Sequence, residues 1–355
     1  MEIQPGRGFS AKPLAQLACK YLGLDQDSSE AAAETRVICP QQDLHVDPAF
    51  HLDGQFERAV AVADHTSFAL EKKRVAGGIN THEPTIAYRI DNALFCGGRL
   101  FTHRFQNIQG PRKNRKLIAK VSGELDTAAL PLSYFATLYF GHMVFDGGAT
   151  ALMARDVAEA CFDSEVALNI SDHVKRYWEL FGLTYTPVGN VRIRHAWIFE
   201  DRGLNSHKIG RLRELGTRVR SIPGIRSGHG VFFRRRGWGT RRAPGNEAEL
   251  EAFFAKRNYE IIDPGQMSVD DIVSATRGAE VLVGVEGSGM THGMLAMDPG
   301  TTVVMLLPPW RFNIMMKDYA DGLGLRFGFV VGQRRQGDYW IDPEEILRTI
   351  DLARR

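Results

Sequence analysis

The chain has 355 residues, of which 44% are hydrophobic and 24% are charged, and its formal net charge is +2. This length suffices for two domains, and the composition is typical of a globular protein. A charge so close to neutral supplies no overall attraction to nucleic acid or to an anionic membrane surface, so nucleic acid is not expected as a partner.

The first half of the chain shows an irregular order of elements. The predicted elements are, in chain order, a helix at 11–24, strands at 36–39, 59–63, 87–90 and 95–101, helices at 149–162 and 174–181, and a strand at 191–199. Glycines interrupt the strand at 95–101. Because helices and strands are mixed here, this half is predicted to be α/β.

In the second half, strands and helices alternate regularly. The predicted elements are a helix at 209–215, a strand at 230–233, a helix at 246–256, a strand at 259–262, a helix at 269–277, a strand at 281–285, a short helix at 294–297, a strand at 301–307, a helix at 312–323, a strand at 327–331 and a helix at 343–352. This alternation predicts a parallel, doubly wound sheet, whose ligands bind outside the carboxyl ends of the strands. We therefore predict an α/β protein with two domains, residues 1–205 and 206–355. Arg234, residues 286–292 and residues 308–311 are expected along one rim of the second sheet.

A glycine-rich turn, Gly287-Ser288-Gly289, follows the apolar run at 281–285. Main-chain N–H groups at a helix N-terminus attract phosphate, and glycine lets a pyrophosphate approach the backbone closely. The turn is not a Walker A loop, because no Gly-Lys-Ser or Gly-Lys-Thr follows, and it is not a full Gly-x-Gly-x-x-Gly fingerprint. It therefore predicts a phosphate site, with an ordinary tight turn as the alternative.

Arginines crowd the segment after the predicted strand at 230–233. They are Arg234, Arg235, Arg236, Arg241 and Arg242. Guanidinium groups bind phosphate oxygens in a bidentate manner, so the segment is a candidate second half of the phosphate site. A solvated basic loop is the alternative. A nucleic-acid surface would need a broader basic field with several aromatic residues, whereas Trp238 is the only aromatic residue in this loop.

His142 and Asp146 are four residues apart, so on a helix they share one face. A carboxylate beside a histidine can work as a general-base pair. A surface ion pair or a hydrogen-bonded core histidine is the alternative.

Patterns for metal ligands and disulfides are weak. Asp25 and Asp27 form an Asp-x-Asp, but the Ser-Ser-Glu that follows indicates a helix cap. The four cysteines are widely spaced, which argues against a zinc ribbon and a disulfide framework. No apolar run reaches the ~18 residues of a membrane span, and the N-terminus lacks the apolar core of a signal peptide. We therefore expect no metal, reduced thiols and a cytoplasmic location, with peripheral membrane contact left open.

Together, these motifs resemble glycosyltransferase family 61. The resemblance rests on the segments 141–146, 246–247, 268–272, 279–292, 298–300 and 307–308. It implies the GT-B architecture, in which two Rossmann-like domains face each other across a cleft. It also implies an inverting reaction that uses a nucleotide-sugar donor and needs neither a metal nor another cofactor.

The resemblance further implies roles for single residues. Arg234 and one of Arg241 and Arg242 match arginines near the donor phosphates, and Gly287-Ser288-Gly289 matches the glycine loop of the family. Asp146 matches the position of a general base, with His142 beside it.

One departure from the family pattern bears on donor binding. Glu286 stands where the family has a histidine, and Ser288 replaces an alanine. An ionised glutamate cannot donate a hydrogen bond and would repel a diphosphate unless it turned to a ribose hydroxyl or to an arginine. Either the phosphate contact is then expected at Thr291, His292 or Arg234, or the donor differs from that of the family.

The sequence thus predicts a glycosyltransferase that moves a sugar, with UDP-sugars favoured by the resemblance, to a glycan or lipid-linked hydroxyl in bacterial surface polysaccharide synthesis. One alternative is a non-catalytic nucleotide- or glycan-binding protein of the same fold. Another is a different Rossmann enzyme, such as an NAD-dependent oxidoreductase. That enzyme would carry its glycine motif in the first strand–helix unit, whereas the glycine loop here lies late in the chain.

Overall fold

The computed structural model describes residues 2–110, 116–225, 229–235, 237 and 242–354. The chain divides into two compact units. The first unit comprises Met1–Gln42 and His82–Arg211, and the second comprises Asp43–Thr81 and Leu212–Arg355. The second unit is therefore built from two separate stretches of sequence.

Strands and helices are mixed throughout, as predicted for the α/β class. The strands are β1 (Gln4–Pro5), β2 (Phe9–Ser10), β3 (Glu34–Cys39), β4 (Gln42–Val46), β5 (Gly78–His82), β6 (Thr85–Cys96), β7 (Arg99–Phe101), β8 (Gln106–Ile108), β9 (Ala119–Lys120), β10 (Gly123–Leu130), β11 (Cys161–Asp163), β12 (Thr186–Val188), β13 (Val191–Glu200), β14 (Gly230–Phe233), β15 (Tyr259–Ile262), β16 (Val281–Val285), β17 (Thr302–Leu307), β18 (Arg326–Val331), β19 (Gln333–Arg335) and β20 (Asp338–Trp340). The helices are α1 (Lys12–Tyr21), α2 (Ser28–Ala31), α3 (Phe68–Ala76), α4 (Phe140–His142), α5 (Gly148–Ala154), α6 (Ser164–Asn169), α7 (Asp172–Leu180), α8 (Ser206–Val219), α9 (Glu247–Ala255), α10 (Val269–Thr276), α11 (Met290–Ala296), α12 (Met316–Leu323) and α13 (Pro343–Leu352), with a 3₁₀ turn at Phe56–Arg58 and a π-helix at Met143–Gly147.

The main sheet of the first unit is mixed. Its order is β1-β10-β13-β6-β7-β8, and β3 also pairs with β6. Strands β10 and β13 run parallel, whereas β6 is antiparallel to β13, β3 and β7. Buried side chains of the three central strands, including Ile90, Leu125 and Ile193, form its core. This sheet therefore differs from the parallel sheet that a Rossmann-like first domain would have.

The second unit contains the predicted parallel sheet. Its order is β15-β14-β16-β17-β18, and every neighbouring pair runs parallel. All residues of β16 and β17 are buried, as expected for strands covered on both faces. If these strands are numbered 1 to 5 along the chain, their order across the sheet is 2-1-3-4-5, so the direction of winding changes between β14 and β16. In doubly wound sheets, ligands bind at this switch point.

Residues 43–81 pack into the second unit through Phe50. The Phe50 main chain donates a hydrogen bond to Phe327 and accepts one from Phe329. A Cβ atom on Gly328, between them, would lie 2.1 Å from the Phe50 ring. Glycine at this position therefore allows the close contact between the segment and β18.

Three local predictions in the first 162 residues were wrong. Residues 59–63 form a single bridge at Val62 rather than a strand, because their main chain bonds to the loop after β17. The predicted strand at 95–101 is a hairpin, since Gly97 and Gly98 have φ angles of 55° and 66°. The helix predicted over 149–162 ends at Ala154, and β11 begins at Cys161.

Candidate functional site

The switch point of the second sheet brings two predicted motifs to the same edge. Phe233, the last residue of β14, is paired with Gly284 near the end of β16. The chain after β14 carries the arginines, and the chain after β16 carries Glu286 and the glycine loop. Because parallel strands end at one edge of a sheet, both segments border the position where ligands bind.

Glu286 is turned toward arginines, one of the two orientations that the sequence left open. Its side chain is only 6% exposed. Its Oε2 atom accepts hydrogen bonds from Nη1 of Arg242 at 2.6 Å and from Nη1 of Arg311 at 2.8 Å, and Asn313 donates to Oε1 at 3.2 Å. Glu286 therefore holds two guanidinium groups in place.

Arg235 adds a third cation. Its guanidinium lies against Gly287, where a Cβ atom would be 2.3 Å from Nη1 of Arg235 and where φ is +146°. Burial lowers the pKa of Arg235, and repulsion by Arg242 lowers it further. The main-chain N–H of Arg235 donates to the Glu247 carboxylate at 2.6 Å. Three of these five side chains are cationic and two, Glu286 and Glu247, are anionic, so positive charge is in excess.

The glycine loop leads directly into α11, which begins at Met290 rather than at residue 294 as predicted. The N–H groups of Met290, Thr291 and His292 donate to the carbonyls of Gly287, Ser288 and Gly289. Thr291 and His292 are buried. The Thr291 hydroxyl makes no hydrogen bond to the described residues, so a bound polar group or a water could satisfy it.

The other predicted donor residues lie apart from this cluster or outside the described residues. Arg234 faces Asp263 at 3.4 Å and Glu251 at 3.7 Å rather than the glycine loop. Arg241 lies outside the residues that the structure describes.

His142 and Asp146 meet in the first unit, as their spacing predicted. Nδ1 of His142 lies 2.6 Å from Oδ2 of Asp146, and the two side chains are about one-fifth exposed. His142 immediately precedes the π-helix at Met143–Gly147, which lies between α4 and α5, and Asp146 lies within it. Such π-helical insertions are frequent at functional sites.

Lys208 of α8 completes this group. Its Nζ atom donates to Oδ1 of Asp146 at 2.7 Å and to the carbonyl of Asp201 at 2.5 Å, and its side chain is buried. Sequence reasoning missed Lys208, although a signal exists. It lies at helical spacing from Leu212, Leu215 and Val219, which form the buried face of α8.

The environment of Asp146 determines what this group can do. Burial alone would raise the pKa of Asp146, but the Lys208 ammonium and the hydrogen bond from His142 outweigh burial and hold that pKa well below its ordinary range. Both carboxylate oxygens accept hydrogen bonds, so Asp146 is a weak base. A carboxylate bonded to Nδ1 orients a histidine for proton transfer at Nε2.

Comparison with known proteins finds one related family over part of the chain. Residues 140–304 match the family model described as Glycosyltransferase 61. The resemblance to glycosyltransferase family 61 is confirmed. The match includes the His142–Asp146 pair and the segment from Glu286 to His292. No curated protein matches the chain. Family 61 indicates a glycosyltransferase, an enzyme that needs a donor and an acceptor substrate.

The described residues also bear on metal binding and on membrane insertion. Asp27 caps α2 by accepting a hydrogen bond from the Glu30 N–H, which confirms its interpretation as a helix cap. The described residues contain no group of three or more histidine, cysteine, aspartate or glutamate side chains placed to bind a metal ion. None of their helices has both the length and the apolar character needed to cross a bilayer.

Proposed function

We propose that this protein is an inverting, metal-independent glycosyltransferase with a variant of the GT-B architecture, in which the first domain has a mixed sheet in place of a parallel one. It would transfer a sugar from a nucleotide-sugar donor, a UDP-sugar by family resemblance, to a hydroxyl of a glycan or lipid-linked acceptor in bacterial surface polysaccharide synthesis. The observation that carries the proposal is the arginine cluster beside the glycine loop, at the switch point of a parallel sheet.

The second unit is suited to the donor diphosphate. Arg235, Arg242 and Arg311 supply charge-assisted donors, and Glu286 fixes the last two before any ligand arrives. Such preorganised cations stabilise the negative charge that develops on a leaving diphosphate. The bare backbone of Gly287 leaves room for phosphate oxygens to approach. We assign the donor to this unit on these grounds.

The first unit is suited to activating the acceptor. In the proposed step, the acceptor oxygen forms a bond to the anomeric carbon while the bond from that carbon to the diphosphate breaks. Nε2 of His142 takes the hydroxyl proton, and Asp146 stabilises the resulting imidazolium. The family resemblance suggests Asp146 as the base itself. Its bonds to Lys208 and His142 favour the orienting role instead.

Two substitutions separate donor binding from chemistry. Arg311→Gln should weaken UDP binding about 10-fold or more, because a hydrogen bond to a charged group contributes about 1.5–3 kcal/mol. His142→Gln should leave UDP affinity unchanged and lower the rate of UDP release from UDP-sugars about 10²–10⁴-fold. Titration calorimetry with UDP and an assay of UDP release measure the two effects.

Arg335→Gln is the matched control for the donor site, since Arg335 is an exposed arginine of the same unit. Equal UDP affinity in Arg311→Gln and Arg335→Gln would remove the donor assignment. Unchanged turnover in His142→Gln would contradict the assignment of His142 as the general base. UDP binding by a wild-type protein without any turnover would instead favour a non-catalytic binding protein.

A further inference from the structure

A cleft of about 400 Å³ opens in the first unit, and residues close to His142 in sequence line it. One wall is the stretch from Ala136 to Phe140, which ends two residues before the histidine, together with Met143, which follows it. The opposite wall is formed by α6 and the start of α7, from Glu165 to Val174. Its volume lies within the ~300–1,000 Å³ typical of small-molecule sites.

Two exposed aromatic side chains lie next to His142, and one of them, Tyr139, lines the cleft. The rings of Phe135 and Tyr139 each lie 6.0 Å from the His142 ring, centroid to centroid. Phe135 is 55% exposed and Tyr139 is 54% exposed. Aromatic rings left in water next to a concave site are typical of binding surfaces, because they offer a large, rigid apolar contact area.

The wall opposite Tyr139 is polar as well as apolar. Glu165 and Asn169 contribute a carboxylate and an amide, and the Asn169 amide is held by a 2.7 Å hydrogen bond to the Glu165 carbonyl. Val166 follows Glu165 and Ile170 follows Asn169, and both are buried. A lipid chain would favour a continuous apolar lining. A sugar ring has an apolar face and a rim of hydroxyls, so it matches an aromatic wall facing hydrogen-bonding groups.

The charge of the lining narrows the class of sugar. The described lining residues include no lysine or arginine. A uronic acid or a phosphorylated sugar would therefore lose hydration in this cleft without gaining a counter-charge from its walls.

We propose that this cleft binds an uncharged sugar ring of the acceptor. Tyr139 is the aromatic platform for the ring, and the reacting hydroxyl group of the sugar is directed toward His142. The inference rests on the proposed function, because it takes His142 as the base that receives the acceptor proton. Tyr139 would bind the acceptor without contributing to donor affinity.

Direct binding tests the cleft without requiring turnover. The probes are the methyl glycosides of glucose, galactose, mannose and N-acetylglucosamine, with the methyl glycoside of glucuronic acid as the charged counterpart. Saturation-transfer NMR on the full-length protein should detect at least one neutral glycoside at millimolar concentration and a weaker signal from the glucuronide. Tyr139→Ala should weaken binding of the neutral glycoside at least several-fold and leave the affinity for UDP, measured by calorimetry, unchanged.

Tyr21→Ala is the control, since Tyr21 is 84% exposed on α1 of the same unit and does not line the cleft. The proposal is overturned if no neutral glycoside binds, if the glucuronide binds equally well, or if Tyr139→Ala behaves like Tyr21→Ala. UDP binding without glycoside binding would contradict the proposed acceptor cleft and would still agree with the proposed donor site. Glycoside binding without UDP binding would contradict the proposed donor site and would still agree with the proposed acceptor cleft.

Discussion

At the scale of single residues, Lys208 decides the roles within the His142 group. A buried ammonium next to Asp146 keeps that carboxylate ionised and occupies one of its oxygens. The other oxygen is engaged by Nδ1 of His142. Asp146 therefore links a buried cation to a partly exposed imidazole, and proton transfer is left to the histidine.

Lys208→Met should destabilise the protein in a pH-dependent way. Removing one partner of a buried ion pair costs about 3 kcal/mol or more at neutral pH. The folded-state pKa of Asp146 lies below the unfolded value of about 3.9. The stabilisation is therefore complete above that value and is lost as the pH falls through the folded-state pKa. Chemical denaturation at pH 7 and at lower pH measures the difference between wild type and variant.

Lys175→Met is a suitable comparison, because Lys175 is half-exposed and pairs with exposed Asp172. Surface pairs of this kind contribute about 1 kcal/mol or less. If the loss in Lys208→Met did not diminish on acidification, the lysine would stabilise by packing and not by its charge.

Glu286 illustrates how far single residues can be predicted. Because its carboxylate is negatively charged, it cannot face a diphosphate alone. The sequence therefore predicts that it contacts either a ribose hydroxyl or an arginine. Which arginine it contacts depends on the fold, because Arg311 follows β17 and Arg242 follows β14. Lys208 escaped prediction for the same reason, since its partner Asp146 lies 62 residues away.

At the scale of elements, α11 packs unusually close to the sheet. A Cβ atom on Gly293 would lie 2.7 Å from Leu282 Cδ2 and 3.1 Å from Phe233 Cζ. Both neighbours are buried core residues of β16 and β14. The absence of a side chain at Gly293 thus allows α11 to lie directly behind the strands that carry the arginines and the glycine loop.

Two glycine substitutions on this helix should behave oppositely. Gly293→Ala overpacks the contact with Leu282 and should cost about 1–3 kcal/mol. Gly289→Ala meets no atom within 4 Å and has a helical φ of −62°, so it should be neutral or stabilise by about 0.4–1 kcal/mol. Thermal unfolding of both variants against wild type measures the contrast. Equal midpoints for the two variants would contradict the close packing.

Most elements of the second unit were predictable because its strands are short, buried apolar runs separated by amphipathic helices. The misplaced start of α11 and the hairpin at Gly97-Gly98 show where local pattern fails. A glycine-rich stretch is compatible with several backbone paths, and tertiary contacts select one. The π-helix at Met143–Gly147 gives no periodic signal, since it adds a single residue to a helical turn.

At the scale of the molecule, the second unit depends on residues from early in the chain. Arg58 makes two hydrogen bonds to Glu345, at 2.6 and 2.7 Å. The buried Gln55 side chain accepts a hydrogen bond from the N–H of Val331 and donates one to Glu345. Removing residues 43–81 would leave these partners on β18 and α13 unsatisfied.

A fragment of residues 212–355 alone should therefore fail to fold cooperatively. Joining residues 43–81 to it through a flexible linker of about 20 residues, which spans roughly 25 Å, should restore a cooperative transition. Circular dichroism during thermal unfolding compares the two. A fragment of 212–355 that unfolds as sharply alone as when joined would show that the early segment is dispensable. This dependence could not be predicted from the sequence, because hydrophobic periodicity identifies elements and not their distant partners.

The discontinuous second unit has a consequence for biosynthesis. Arg58 precedes its partner Glu345 by 287 residues. At typical translation rates, the ribosome needs about 15–60 s to deliver the partner. Throughout that interval the hydrogen bonds from Arg58 to Glu345 cannot form, although every residue of the first unit is already synthesised by Arg211. The first unit can therefore fold while residues 43–81 still lack part of their partners, and chaperones can bind this segment during that time.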